Sequence, residues 1–311
     1  MKLIRALENR LGDLVLKGEI KTPCHLCTGQ EAVAVGICSA LKRDDLVFGN
    51  HRSHGHYIAK GGDTKELMAE ILGKKSGCSR GRGGSMHIIA KEQGFMGTVP
   101  IVAGTVSLAA GAALILQIKK KKSVAVAFFG DGATGEGTLY ESLNFAALKN
   151  LPLIFICENN FYSTHLPIRE CRPDKPIFEI AKPFGIPSFQ IDGNDILEVQ
   201  ETAEKAVEIC NKGEGPVFIE CLTYRQAGHV GPDDRIQTEH TDIRPKKEIK
   251  QWLKKDPILK FENLLVKKKA LNKEEMEKIQ RDVDREVEGA YRFAIDSSYP
   301  SKEEIANNLF Q

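Results

Sequence analysis

The alternation of apolar and polar positions cuts the chain into short elements. Residues 3–18 (LIRALENRLGDLVLKG) carry apolar side chains at helical spacing and stop at Gly18, which predicts a first helix. A second helix is predicted from Gln30 to Leu41, a short strand at 45–49 and a helix at 64–73. Residues 76–87 (SGCSRGRGGSMH) are rich in Gly and Ser and predict a loop. Residues 104–119 (GTVSLAAGAALILQIK) predict a helix with many small side chains, so close approach to another element or subunit is expected. The runs 123–129 and 152–158 are apolar throughout, as parallel strands covered on both faces should be, and a helix is predicted between them at 136–149. Together they form a βαβ unit. A strand near 187–191, a helix at 194–212 and a strand at 216–222 follow, then a polar loop from Arg225 to about Thr241. From 245 on the chain is charged and helical. The fold class read from this order is α/β: a mostly parallel sheet flanked by helices over 1–245, N-terminal helices included, with a C-terminal helical extension over 246–311.

Composition narrows the function classes. The 311 residues are 41% hydrophobic, 28% charged and 7% aromatic, and the net charge is +2. Nothing here pulls toward nucleic acid or a membrane surface, and the runs Lys119–Lys122 and Lys267–Lys269 read as solvated helix ends or faces. Eight cysteines are irregularly spaced along a long chain, which argues against a disulfide framework. Cys24 and Cys27 have CxxC spacing, but no second pair or His cluster accompanies them as zinc would require, and the strand-then-helix setting of a redox dithiol is missing. Reduced cysteines in a cytoplasmic protein are expected. No signal peptide is read, and no apolar run approaches the ~20 residues of a membrane span.

The chemistry-bearing residues follow the strands. Asp131 comes after the run 123–129, and Asn160 after 152–158. Their spacing matches one right-handed crossover, so both are expected at the carboxyl ends of adjacent parallel strands, where α/β sheets bind ligands. A carboxylate, an amide oxygen and a nearby main-chain carbonyl form a hard oxygen set, suited to Mg²⁺ or Ca²⁺ carrying phosphate oxygens. Gly130 and Gly132 let the backbone approach an anion, and the helix that begins near Gly135 points its positive end there. Taken alone, a GDG is as well read as a turn acid, and Asn160 as a helix cap.

The text GDGATGEGTLYESLNFAALKNLPLIFICENNFY resembles the thiamine diphosphate motif in the alpha subunits of two-subunit 2-oxo acid dehydrogenases, the pyruvate, branched-chain and acetoin enzymes. The likeness extends over HLCTGQEAVAVG (25–36), GNHRSHGHYIAKGGD (49–63), GRGGSMH (81–87) and YRQAGHVGPDD (224–234). It implies thiamine diphosphate and Mg²⁺ as cofactors, with Asp131, Asn160 and the main-chain oxygen of Tyr162 as metal ligands. Gly130, Gly132 and Ala133 would meet the diphosphate by backbone. His51 and Arg52 match the family's Tyr/Gln-Arg pair at the diphosphate, and His51 departs from its usual tyrosine. The carbonyl of Pro100 would meet the aminopyrimidine, and Val102 would be the wedge that holds the cofactor bent. His229 matches the histidine of the active-site loop, and His54 another near the cofactor; both are expected to be catalytic, with His56 an extra. Val230 stands where members often carry a phosphorylated serine.

The resemblance also implies what the chain lacks. The glutamate that activates the cofactor's pyrimidine and the pocket for that ring come from a beta subunit, so an α₂β₂ assembly is expected. A small 2-oxo acid would be decarboxylated and its acyl group passed to a lipoyl acceptor, which points to a lipoyl acyltransferase as a further partner. A transketolase-like carboligase and a non-catalytic scaffold subunit are the competing readings.

Overall fold

The structure is a computed structural model that describes residues 1–232 and 244–305. The elements run α1 (Lys2–Leu16), α2 (Glu31–Ser39), β1 (Leu46–Phe48), α3 (His54–Ala59), α4 (Thr64–Ile71), β2 (Phe95–Gly97), α5 (Gly104–Ile118), β3 (Ala125–Gly130), α6 (Gly137–Lys149) and β4 (Leu153–Asn159). After these come the hairpin β5 (Tyr162–Ser163) and β6 (Leu166–Pro167), α7 (Ile168–Cys171), β7 (Ser188–Asp192), α8 (Ile196–Asn211) and β8 (Val217–Leu222). Three helices close the described chain: α9 (Lys246–Leu253), α10 (Pro257–Lys267) and α11 (Lys273–Asp296).

Six strands form one parallel sheet in the order β2-β1-β3-β4-β8-β7. Because side chains alternate across a strand, the wholly apolar runs feed two cores. Val126, Phe128, Ile154 and Ile156 point into the core shared with α1, α2, α4, α8 and α11. Ala125, Ala127, Phe129, Leu153, Phe155 and Cys157 point the other way, under α5 and α6. The alternation explains why these strands tolerate no polar residue until they reach their carboxyl ends.

The chain passes outward from β1 to β2, returns across β1 to β3, then continues to β4 on the far side. The order therefore reverses between β1 and β3, which opens a crevice beyond their carboxyl ends. Helix α5 is lined inward by Val106, Ala109, Ala110 and Ala113, all buried, and the small side chains bring it close to the sheet. Its opposite face leaves Leu108, Ile115 and Ile118 exposed. These fall on one stripe with Gly111, at the 3-then-4 spacing of a packing seam. Helix α11 lays Val287, Ala290 and Ala294 on the first core, against α1 and α4. No helix among the described residues is long and apolar enough to cross a membrane.

Candidate cofactor site at the carboxyl edge of the sheet

A cleft opens at the predicted crevice. His51 and Arg52 reach it from the end of β1, Asp131, Gly132 and Ala133 from the end of β3, and Asn160 and Tyr162 from the end of β4. Gly130, Val102 and His229 complete the set of predicted residues that the structure brings together there.

Asp131 is buried, and its Oδ1 accepts from the Gly132 amide at 2.8 Å. Its Oδ2 is buried with no hydrogen-bond partner. Burial pushes the carboxyl up to about 6, against backbone N–H groups of Gly132, Phe161 and Tyr162 and the Arg225 cation, which pull it down. A buried carboxylate oxygen without a partner is costly unless something binds it. A divalent cation fits: Asn160 adds an amide oxygen, and the turn that follows adds main-chain carbonyls. Asn160 Oδ1 also accepts from the Tyr162 amide at 3.3 Å, and its Nδ2 donates to Gln30 Oε1 at 3.2 Å, so the side chain is held in place. Between them Phe161 carries φ +69°, a left-handed conformation that costs a residue with a Cβ ~1–3 kcal/mol.

Gly132 is there for space. A Cβ on it would lie 2.5 Å from Ser163 Oγ, so a side chain would push into the hairpin that follows Asn160.

The other bank of the cleft is basic. Arg52 is buried; its Nη1 donates to the Leu26 carbonyl at 2.7 Å, and its Nη2 lies 3.2 Å from both Nδ1 and the carbonyl of His229. One ring nitrogen from each of His25, His51 and His229 lies within 4.8 Å of the other two. Burial, and then the Arg52 guanidinium, hold all three imidazoles well below the usual range, with His51 lowered to about 3 and His229 to about 2. Such a trio has the make-up of a metal cluster, but the guanidinium repels a cation. Neutral imidazoles that donate N–H beside a fixed guanidinium form an anion site, and a diphosphate is the anion that also brings a cation to Asp131.

Three predicted or motif residues sit differently from the rest. His54 is fully buried and absent from the cleft lining; its Nδ1 is 2.6 Å from Glu8 Oε1 and its Nε2 is 2.9 Å from Ser85 Oγ. With both nitrogens engaged inside the protein, it ties α1 to the 76–87 loop and offers no nitrogen to a reacting group. Pro100 is exposed and also outside the lining, while its neighbours Ile101 and Val102 stand on the rim, 72% and 47% exposed, so Val102 is not a core valine. His56 is buried, stacked on Phe128 at 3.9 Å, and its Nε2 lies 3.2 Å from Glu158 Oε1. Glu158 itself lines the cleft.

Sequence reasoning missed His25, Gln30 and Glu158. His25 and Gln30 lie in the motif HLCTGQEAVAVG, but no local pattern distinguishes them; they reach the site only because α2 packs beside the carboxyl ends of the sheet. His25 Nδ1 is buried and, like Asp131 Oδ2, has no hydrogen-bond partner. Of the predicted loop 225–241, residues 225–232 are described: Gly231 donates to the Cys24 carbonyl at 2.7 Å and so anchors the segment that carries His229. The rest of that loop, with Asp233 and Asp234 of the motif, lies outside the described residues.

A profile of the dehydrogenase E1 component family matches residues 1–303. The chain is 40% identical over 307 residues to the alpha subunit of acetoin:2,6-dichlorophenolindophenol oxidoreductase from Bacillus subtilis (strain 168), which covers 99% of this chain and 90% of that one. It is 38% identical over 310 residues to the pyruvate dehydrogenase E1 component subunit alpha of Rhizobium meliloti (strain 1021), covering 99% and 87%. The somatic mitochondrial form of that subunit from Homo sapiens is 35% identical over 311 residues, covering 100% and 77%. The chain therefore belongs to the dehydrogenase E1 component family, a family of thiamine diphosphate-dependent oxidoreductases.

Proposed function

We propose that the chain is the alpha subunit of a 2-oxo acid dehydrogenase, holding the magnesium diphosphate end of the cofactor for decarboxylation of a small 2-oxo acid. The observation that carries this reading is the buried, unpartnered Asp131 oxygen facing a bank of neutral histidines and Arg52 across one cleft. When bound, thiamine diphosphate supplies the nucleophilic carbon and the electron sink that a 2-oxo acid needs to lose CO₂.

The chain's own residues do the rest. Asp131, Asn160 and the main-chain oxygen of Tyr162 take the cation. Arg52, its Nη1 and Nη2 held by the Leu26 carbonyl and His229, supplies a fixed positive charge to the diphosphate, with His51 donating beside it and the backbone of Gly130, Gly132 and Ala133 closing the cradle. Val102, on the cleft rim, would press on the bound cofactor, and the carbonyl of Pro100, exposed beside that rim, would be open to its aminopyrimidine. His229, kept neutral by burial and Arg52, can donate a hydrogen bond from Nε2–H while Arg52 holds Nδ1 as acceptor. His54 acts at one remove, by fixing α1 and the 83–87 turn beneath the site.

The relatives are named as alpha subunits, and a beta subunit is the partner we assign. The exposed rim Ile101–Val102 at the cleft and the exposed stripe Leu108, Ile115 and Ile118 on α5 offer it apolar surface, in keeping with an α₂β₂ assembly. A lipoyl acyltransferase domain is the acyl acceptor in this reading. A cytoplasmic setting is supported by eight free cysteines, six of them buried.

The test is calorimetric titration of thiamine diphosphate with Mg²⁺ into the chain alone and into the chain with a beta-type subunit. Binding should appear, or tighten at least tenfold, with the partner. Asp131→Ala should abolish its Mg²⁺ dependence, and survival of that dependence overturns the metal assignment.

A further inference from the structure

The turn Asn160–Phe161–Tyr162 is held from behind by the C-terminal helices. Asn159 Oδ1 accepts from the Phe161 amide at 3.0 Å, which fixes the entry to the left-handed residue. A second cavity is lined by Phe161 and Tyr162 of the turn together with Glu248 and Trp252 of α9. Glu248 accepts two tyrosine hydroxyls, Tyr162 at 3.1 Å and Tyr224 at 2.8 Å. Trp252, one helical turn further on, lies flat on Tyr224 at 5.2 Å and meets the Phe161 ring at 5.5 Å. Arg244, buried just before α9, donates to the carbonyls of Arg225 at 2.6 Å and Ala227 at 2.9 Å, so the same segment grips the approach to His229.

A strained turn keeps its shape only where its surroundings over-determine it. Here the extra constraints come from residues more than eighty positions along the chain, which touch neither the cleft nor Asp131. We propose that Glu248 and Trp252 are positioning residues for the cation: by fixing the Tyr162 side chain and the Phe161 ring, they set where the Tyr162 carbonyl points. The proposal rests on the reading of Asp131, Asn160 and Tyr162 as the cation ligands. It makes the C-terminal helices part of the cofactor site's support, and it predicts that cation affinity responds to changes on α9.

The test uses the assembled alpha–beta complex with saturating thiamine diphosphate, into which Mg²⁺ is titrated calorimetrically. Tyr162→Phe removes one hydroxyl and little else, so its folding is not in question. It and Glu248→Ala should each weaken Mg²⁺ binding about tenfold, the value of one hydrogen bond to a charged group. Glu248→Gln, which keeps a carbonyl acceptor, should recover part of that loss. The double variant should be no weaker than the worse single one, because both act through one contact. A role limited to stability would instead lower the melting temperature and leave the Mg²⁺ constant within about twofold of wild type, which overturns the proposal. Asp131→Ala serves as the reference. If it loses Mg²⁺ while the α9 variants do not, positioning fails and the ligand assignment stands. If it binds normally, the ligand assignment fails and the proposal falls with it.

Discussion

Replacing Asp131 by Asn should make the cofactor-free chain more stable, and more so as pH rises. Burial raises the carboxyl from its ordinary 3.8 to about 6. A carboxyl raised in this way favours the folded state below its unfolded value, and that advantage is lost as pH rises through about 6. The lost free energy is about 2 kcal/mol at pH 5 and about 3 kcal/mol at pH 8, where ionisation is complete in both states. Asn is nearly isosteric, keeps an oxygen to accept from the Gly132 amide, and never ionises, so it escapes this loss. Urea unfolding of metal-free wild type and Asp131→Asn at the two pH values measures the difference. The gap in favour of the Asp131→Asn variant should widen by about 1 kcal/mol between pH 5 and pH 8. Mg²⁺ with thiamine diphosphate should reverse the order, because only the carboxylate gains a cation. A gap that does not change with pH, or an Asp131→Asn chain less stable at both, would refute the idea that the site holds an uncompensated buried carboxylate.

Three shorter expectations test other parts of the cleft and the chain. Gly132→Ala should weaken cofactor binding at least tenfold, since its Cβ would meet Ser163 Oγ at 2.5 Å, and Ser163→Gly in the same chain should restore most of the loss in a calorimetric titration. Arg52→Lys keeps a charge but loses the fork that spans the Leu26 carbonyl and His229, and should raise the dissociation constant of thiamine diphosphate ~10–100-fold. Alkylation followed by mass spectrometry should label Cys171 first, as it is exposed; Cys24, Cys38 and Cys210, buried with thiols pushed up to about 12, should react only on unfolding.

What can be read from the sequence follows the range of the interactions involved. The strands β3 and β4 are legible because burial on both faces leaves no polar position, and Asp131 and Asn160 stand out among the first polar residues beyond them. Strand β2 escapes the apolar pattern: it has three residues, follows Gly94 directly and takes its shape from pairing with β1. Helix α3, HGHYIA, escapes it too, since two histidines and a glycine in six positions give no apolar period. Its histidines are buried through partners distant in sequence, Glu8 and Ser85 for His54 and Glu158 for His56. That also explains why His54 reads as a cofactor histidine in the text and a support in the structure. Glu248 carries no local signal at all, because its meaning comes from Tyr162 and Tyr224 across the fold.

The charges of the cleft explain why one ligand suits it. Asp131, Glu158 and Arg52 are all buried at the cleft, and three imidazoles there are held neutral. A bare anion would satisfy Arg52 and the imidazole donors but would leave Asp131 repelled. A bare cation would satisfy Asp131 but lie against a guanidinium. A magnesium diphosphate places each charge opposite its complement, and neutral histidines then donate hydrogen bonds without adding positive charge that would resist the metal. The apolar rim at Ile101 and Val102 continues from that polar floor and has no chain of its own above it among the described residues. On the proposed function, the cofactor's aromatic end would meet a surface of the beta subunit, and cofactor affinity would then report assembly as directly as it reports the site.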